Sequence, residues 1–195
     1  MLEANGEDRI IVFTGPDGSG RKSVALAVGQ TFGITRVISY VTRAPRKGEI
    51  DGQDYFFISS EAYQKMEQEG QFLESVKIDG NSYGLRRDDI ERLLDKHSYI
   101  YLVLNREGSD RLKELYGDKV VRLFMYADRD TLEARNRAMG LDEDVIARRM
   151  SHYDEQMDYR ASCEHSYGNY ILADTVSRIT ETLEEYFQRD LIDKD

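Results

Sequence analysis

The chain has 195 residues, 40% of them hydrophobic and 33% charged, with a formal net charge of −10. That composition fits a soluble globular core with room for an insertion, and no apolar run approaches the ~20 residues of a membrane span. The negative balance disfavours a nucleic-acid partner, a lone Cys163 excludes an internal disulfide, and three scattered histidines offer no zinc-ligand spacing.

The N-terminal stretch MLEANGEDRI lacks the basic-then-apolar pattern of a signal peptide, so the expectation is a cytoplasmic protein. Cys163 reads as a small apolar filler rather than a reactive thiol. Arg9–Thr14 (RIIVFT) is a mostly β-branched run ending at glycine and predicts a buried strand. Gly15, Gly18 and Gly20 then punctuate a tight loop, GPDGSGRKS, and Ser23–Thr31 resumes with helical spacing. A strand, a glycine loop and a helix give the context of a phosphate-binding loop. Successive inward-facing N–H groups that feed a helix N-terminus make a nest for phosphate oxygens. By strict spacing from Gly15 the loop's lysine position falls on Arg21, and Lys22 and Ser23 follow one place late. Arg21 keeps the positive charge on a broad planar fork instead of a compact ammonium. Lys22 is rotated from it by ~100° about the helix axis.

Thr35–Val41 predicts a second strand. From Thr42 to about Asp95 the pattern changes. Tyr55–Ile58 and Phe72–Ile78 are strand-like and flank a short helix that ends at Gly70, and NSYG follows as a turn and strand edge. This reads as an α+β insertion. Beyond it, Tyr99–Leu104, Lys119–Met125 and the shorter Tyr170–Leu172 are apolar runs that suit parallel strands covered on both faces. Helices are predicted at about Gly108–Leu115, Arg129–Arg135, Asp142–Tyr159 and Thr175–Phe187. Strands alternating with helices imply a three-layer α/β fold with right-handed crossovers. The last residues, RDLIDKD, read as a frayed end.

The segment ISYVTRAPRKGEIDGQDYFFI carries Ser39, Thr42, Arg43, Pro45, Arg46, Gly48, Glu49, Gly52, Tyr55 and Phe57, and FLE (Phe72–Glu74) and GNSYG (Gly80–Gly84) follow it. With the glycine loop, these motifs resemble the guanylate kinase family, P-loop nucleoside monophosphate kinases, from about Arg9 to Phe187. The resemblance implies a P-loop three-layer α/β core with a parallel sheet at 1–41 and 96–195, a helical lid at about 136–150, and an inserted GMP-binding domain at 42–95. It implies ATP and GMP as partners, and Mg²⁺ with ATP. Gly15, Gly18, Gly20, Lys22 and Ser23 are then expected to hold the ATP phosphates, Ser23 also meeting the metal. Ser39, Arg43, Arg46, Tyr55 and Tyr83 would grip the GMP phosphate. Bidentate guanidinium groups and hydroxyl donors suit a monophosphate dianion. Glu74 would accept the two neighbouring donors of guanine. Among the catalytic residues, Arg21 is expected to hold the donor with the loop N–H groups, and Arg149 with Arg137 to neutralise charge on the transferring phosphoryl group.

The chain departs from the family pattern on the ATP and Mg²⁺ side. Val103 and Asn105 stand where the family has two acids, Met139 precedes the lid Gly140 in place of a basic residue, and Ala173–Asp174 stand for an asparagine–aspartate pair. On the acceptor side, Leu85 replaces a hydroxyl beside the base. Three readings therefore stay open: a kinase that makes GDP from GMP, at ordinary or low activity; a catalytically impaired relative that binds GMP or a protein partner; or a kinase for another nucleotide or phosphorylated small molecule.

Overall fold

The computed structural model describes residues 8–78 and 80–187. They fall into two compact units, one within Met1–Ile34 and Tyr101–Asp195, the other Thr35–Ile100.

The first unit is built on β1 (Arg9–Thr14), β7 (Tyr99–Val103), β8 (Val120–Tyr126) and β9 (His165–Gly168), which stand in the order β7-β1-β8-β9. β1 runs parallel to β8, from Ile10↔Val120 to Thr14↔Phe124, and β8 runs parallel to β9. Ile10, Ile11, Val12 and Phe13 are fully buried, as an uninterrupted apolar run in a two-sided parallel sheet requires. The helices are α1 (Arg21–Phe32), α4 (Arg106–Tyr116), α5 (Arg129–Ala138), α6 (Glu143–Ser151), α7 (Tyr153–Asp158) and α8 (Leu172–Phe187). α1 meets α8 through an edge-to-face contact of Phe32 and Phe187, 5.0 Å between centroids.

The second unit carries short strands β2 (Thr35–Arg36), β3 (Tyr40–Val41) and β4 (Phe56–Phe57), then α2 (Ser60–Gln68), β5 (Phe72–Ile78), β6 (Asn81–Arg86) and α3 (Arg87–Leu94). Its sheet has the order β4-β3-β6-β5. β5 and β6 are antiparallel, with a bulge between Phe72 and Glu74. The stacked rings of Tyr63 and Phe72, 4.5 Å apart, pin α2 against this sheet.

Several elements differ from the sequence expectation. The run Tyr170–Leu172 is not a strand: its residues are 53%, 61% and 44% exposed, and the strand is His165–Gly168 just before it. Among the described residues β9 ends the sheet order and is paired on one edge; it buries Tyr167 and exposes Ser166, a period-two pattern too short to stand out. Thr35–Val41 is two short strands, the second belonging to the other sheet. Asp142–Tyr159 is broken at His152 (φ −98°, ψ 6°) into α6 and α7. α3 follows β6 with no glycine or proline between them, so nothing in the sequence announces it. The RDLIDKD tail lies outside the described residues. Among the described residues no helix is long and apolar enough to cross a membrane.

One charge sits inside the core sheet. Arg122, in the middle of β8, is 8% exposed. Its Nε and Nη2 donate to Glu164, each at 3.1 Å, its Nη1 donates to Asp110 at 3.0 Å, and its Nη2 also reaches the Ser162 carbonyl. Lys113 Nζ adds a second cation 3.1 Å from Glu164. Burial alone would raise the Glu164 carboxyl, but the Arg122 side chain, its backbone N–H and Lys113 outweigh it and hold the group at about 2. Burial also pushes the nearby Cys163 thiol up to about 11, which keeps it protonated and unreactive. Because the folded carboxyl titrates below its ordinary 4.5, its stabilisation is complete above that value and is lost as the pH falls from 4.5 towards 2. Glu164→Gln is therefore expected to be about 2 kcal/mol less stable at pH 7, after discounting for partial exposure. Chemical denaturation at pH 7, 4 and 3 checks this; the gap should narrow steadily on acidification, and a constant gap would contradict the assignment.

Candidate functional site

The turn between β1 and α1 is set by its glycines. Gly15, Gly18 and Gly20 have φ of +133°, +85° and +83°, conformations that L side chains rarely adopt. Space forbids a side chain as firmly as φ does. A Cβ on Gly15 would lie 2.0 Å from the Met125 carbonyl oxygen, and one on Gly20 would lie 2.4 Å from Asn169 Nδ2. Gly20 is the N-cap of α1, and its carbonyl accepts from Val24 N–H at 3.0 Å. The first turn of α1 holds no acidic residue, so nothing within it neutralises the helix's positive end.

Neighbouring elements brace this loop. Asn169, buried just beyond β9, donates Nδ2 to the Ser19 carbonyl at 2.7 Å. Arg135, on α5, donates Nη1 to the Gly18 carbonyl at 3.4 Å and Nη2 to the Asn169 carbonyl at 2.8 Å. Arg21, the first residue of α1, donates Nη2 to Asp17 Oδ1 at 2.8 Å and Nη1 to the Leu104 carbonyl at 3.3 Å. Arg149, on α6, donates Nη1 to Asn136 Oδ1 at 2.8 Å, and its Nε lies 3.6 Å from Asp17 Oδ2. Asn136 is fully buried and donates its Nδ2 to the Leu132 carbonyl. Arg21 and Arg149 thus come together at the loop, whereas Lys22 and Ser23 are exposed on the first turn of α1.

The structure does not bring Arg137 to this loop. It faces Glu143 at 2.7 Å and Glu133 at 3.3 Å, carboxylates of its own neighbourhood. Residues two apart on a helix differ by ~200° about its axis, so with Arg135 on the loop Arg137 must turn away. Met139 is 58% exposed after α5. Ala173 and Asp174 lie exposed at the start of α8; the asparagine that hydrogen-bonds the loop backbone is Asn169. A single asparagine behind an alternating edge strand gave the sequence no signal for that role.

In the second unit, Arg43, Tyr55 and Tyr83 form one cluster. The Arg43 guanidinium lies 5.1 Å from the Tyr55 ring centroid, and the Tyr55 and Tyr83 rings are 6.0 Å apart. Its Nε donates to the Tyr83 hydroxyl at 3.3 Å, its Nη1 to the Ala44 carbonyl and Glu49 Oε2, and its Nη2 to Glu49 Oε1 at 2.8 Å. The Glu49 hydrogen bonds raise the guanidinium's pKa further above its ordinary value, against the opposing effect of burial. Four hydrogen bonds thus use four of the five N–H protons a guanidinium has, leaving one on Nη2. Arg46 is exposed; its backbone N–H donates to Glu49, which fixes where its side chain starts. Ser39 sits half-buried before β3, its carbonyl accepting from Phe56 N–H. Glu74 is half-buried on β5 and pairs across the ladder with Leu85, which is 1% exposed on β6. Directly paired residues share a sheet face, so Leu85 lies beside the carboxylate.

A family model for guanylate kinase matches residues 7–190. The chain belongs to the guanylate kinase family. A guanylate kinase of Fusobacterium nucleatum is 31% identical over 153 residues, covering 78% of this chain and 83% of that protein. A guanylate kinase of Wolbachia pipientis wMel is 29% identical over 199 residues, covering 99% and 96%. The crystal structure of guanylate kinase from Anaplasma phagocytophilum shares the fold, with a TM-score of 0.76 over 97% of this chain and 90% of that one, at 24% identity.

Family membership raises the question of Mg²⁺. At the family's two acidic positions Val103 is apolar, and Asn105 uses its Oδ1 to accept from Gly108 N–H at 3.0 Å as the N-cap of α4. Among the described residues no group of three His, Cys, Asp or Glu side chains is placed to hold a metal ion. These residues do not fit a protein-held ion, and Ser23 is the one hydroxyl in the first turn of α1.

The tight loop carries its own prediction. Gly20→Ala is expected to destabilise the protein by about 1–2 kcal/mol for the left-handed backbone, and by more for displacing Asn169. In an Asn169→Ala background the added cost should shrink, since the Nδ2 that the new methyl meets is gone. Thermal melts of the parent, the two single variants and the double variant check it.

Proposed function

We propose that this protein transfers the γ-phosphoryl group of ATP to GMP, giving ADP and GDP. The observation that carries the reading is the meeting of Arg21 and Arg149 at a glycine-built phosphate loop. A loop of inward N–H groups with two guanidinium groups beside it suits a polyphosphate and the charge that develops during its transfer.

The loop N–H groups and Arg21 hold the donor phosphates, with Lys22 and Ser23 on the first turn of α1. Arg149, steadied by Asn136, faces the transferring group. Arg46, the Tyr55 and Tyr83 hydroxyls, Ser39 and the last Nη2 proton of Arg43 hold the GMP phosphate. Glu74 reads the guanine edge, with Leu85 supplying a wall rather than a second hydrogen bond. An oxygen of the GMP phosphate attacks the γ-phosphorus in line; that P–O bond forms as the bond to the β–γ bridging oxygen breaks, and ADP leaves. Mg²⁺ arriving with ATP would supply charge neutralisation at the phosphates, and because such an ion usually keeps several waters it would ask little of protein ligands.

The acceptor cluster separates two arginines by experiment. Arg46→Ala is expected to lower GMP affinity at least tenfold with no change in melting temperature, because it removes a charge-assisted contact of about 1.5–3 kcal/mol from an exposed side chain. Arg43→Ala should lower both affinity and melting temperature, because it also removes the guanidinium that two Glu49 oxygens accept from. Calorimetry with GMP and thermal melts distinguish them. A coupled ADP assay with ATP and GMP, AMP or UMP tests the reaction itself; no turnover with GMP under any Mg²⁺ concentration would overturn the proposal.

A further inference from the structure

The phosphate loop contains a carboxylate. Asp17 is the third residue of GPDGSGRKS, between Pro16 and Gly18. A negative side chain in a loop that collects anions repels the ligand the loop is built to hold. Its partners explain what it does. Asp17 Oδ1 accepts from Arg21 Nη2 at 2.8 Å, and Asp17 Oδ2 lies 3.6 Å from Arg149 Nε. The two arginines come from different helices, α1 and α6, and each has one further anchor. Arg21 Nη1 holds the Leu104 carbonyl, and Arg149 Nη1 holds the buried Asn136. The next two loop carbonyls, of Gly18 and Ser19, are tied to Arg135 and Asn169, so Asp17 is presented from a braced backbone. The side chains of Asp17, Arg21 and Arg149 are 47%, 21% and 23% exposed, within reach of a ligand from solvent.

We infer that Asp17 is a positioning residue that stands in for a phosphate group. Its two oxygens occupy the two guanidinium groups that the donor would otherwise take, and they hold α6 against the loop before any nucleotide arrives. A polyphosphate must displace this carboxylate to gain Arg21 and Arg149. The ligand class is a nucleoside triphosphate or a bare polyphosphate, since the displaced contacts are charge-assisted and carry no information about a base. Asp17 therefore weakens donor binding and makes it depend on exchanging one anion for another. It leaves the acceptor unaffected. The inference rests on the donor-site reading given under Proposed function.

The test is calorimetry of the whole chain with ATP, with inorganic tripolyphosphate and with GMP, on the parent, Asp17→Asn and Asp17→Ser. Thermal melts confirm folding, and the serine variant serves if the asparagine variant does not fold. Asp17→Asn is expected to bind ATP and tripolyphosphate at least fivefold more tightly than the parent, with GMP affinity unchanged. In steady-state assays the KM for ATP should fall while that for GMP stays put. In an Arg149→Ala background the gain from Asp17→Asn should shrink, which a purely structural role for Asp17 would not produce. Equal or weaker ATP binding by folded Asp17 variants overturns the inference while the donor site stands. Failure of parent and variants alike to bind ATP or tripolyphosphate, with GMP still bound, overturns the donor-site reading and the inference together.

Discussion

Between β1 and α1 the backbone turns through left-handed glycines with no room for a side chain, and much of the first unit is arranged around that turn. The carbonyl of Met125 on β8 closes over Gly15, the Asn136 amide of α5 closes over Gly18, and the Asn169 amide beyond β9 closes over Gly20. Three elements far apart in sequence each supply one wall. Two of those elements also hold loop carbonyls, Asn169 that of Ser19 and Arg135 of α5 that of Gly18, so the backbone that excludes a Cβ is braced as well. A nest for phosphate needs that fixity, because its donors must be aimed before the ligand arrives.

The molecule is strongly acidic overall, yet its proposed phosphate contacts are arginines held by carboxylates or amides. Arg43 lies in the grip of Glu49, Arg21 and Arg149 share Asp17, and Arg149 also leans on Asn136. A guanidinium has enough protons to keep a neutral anchor, as Arg21 does on Leu104 and Arg149 on Asn136, while it exchanges its carboxylate for a ligand; a lysine ammonium with three protons does this less well. Arginine at the usual lysine position of the loop fits this scheme. The fork reaches back to Asp17 and across to Leu104 at the same time.

The strands that carry the core were legible because burial on two faces leaves a plain mark: RIIVFT and the apolar part of β8 stand out without any partner being known. The acceptor motif was legible because so many polar and glycine residues recur together between Ser39 and Gly84. What escaped was relational. Whether Arg135 or Arg137 meets the loop depends on the phase of α5, which no local pattern reveals. Asn169 acts through a fold-back of 150 residues to Ser19. β9 hid behind the apolar Tyr170–Leu172, since an edge strand needs only one buried residue in two while an exposed apolar run mimics a core. Nothing in GPDGSGRKS marks Asp17 as the meeting point of two arginines, because Arg149 comes from another helix.

Arg122 has a consequence for how the chain comes off the ribosome. It stands in the middle of β8, and its partners lie at Asp110, Tyr159, Ser162 and Glu164. Asp110 precedes the strand, but the rest follow it by 37 to 42 residues. A guanidinium buried without those groups is costly, so β8 gains little by docking beside β1 alone. The sheet has to wait until the segment through Glu164 has been made, at roughly 5–20 residues per second. Until then the apolar residues of β8 lack their cover, the kind of transient exposure that favours aggregation of a growing chain.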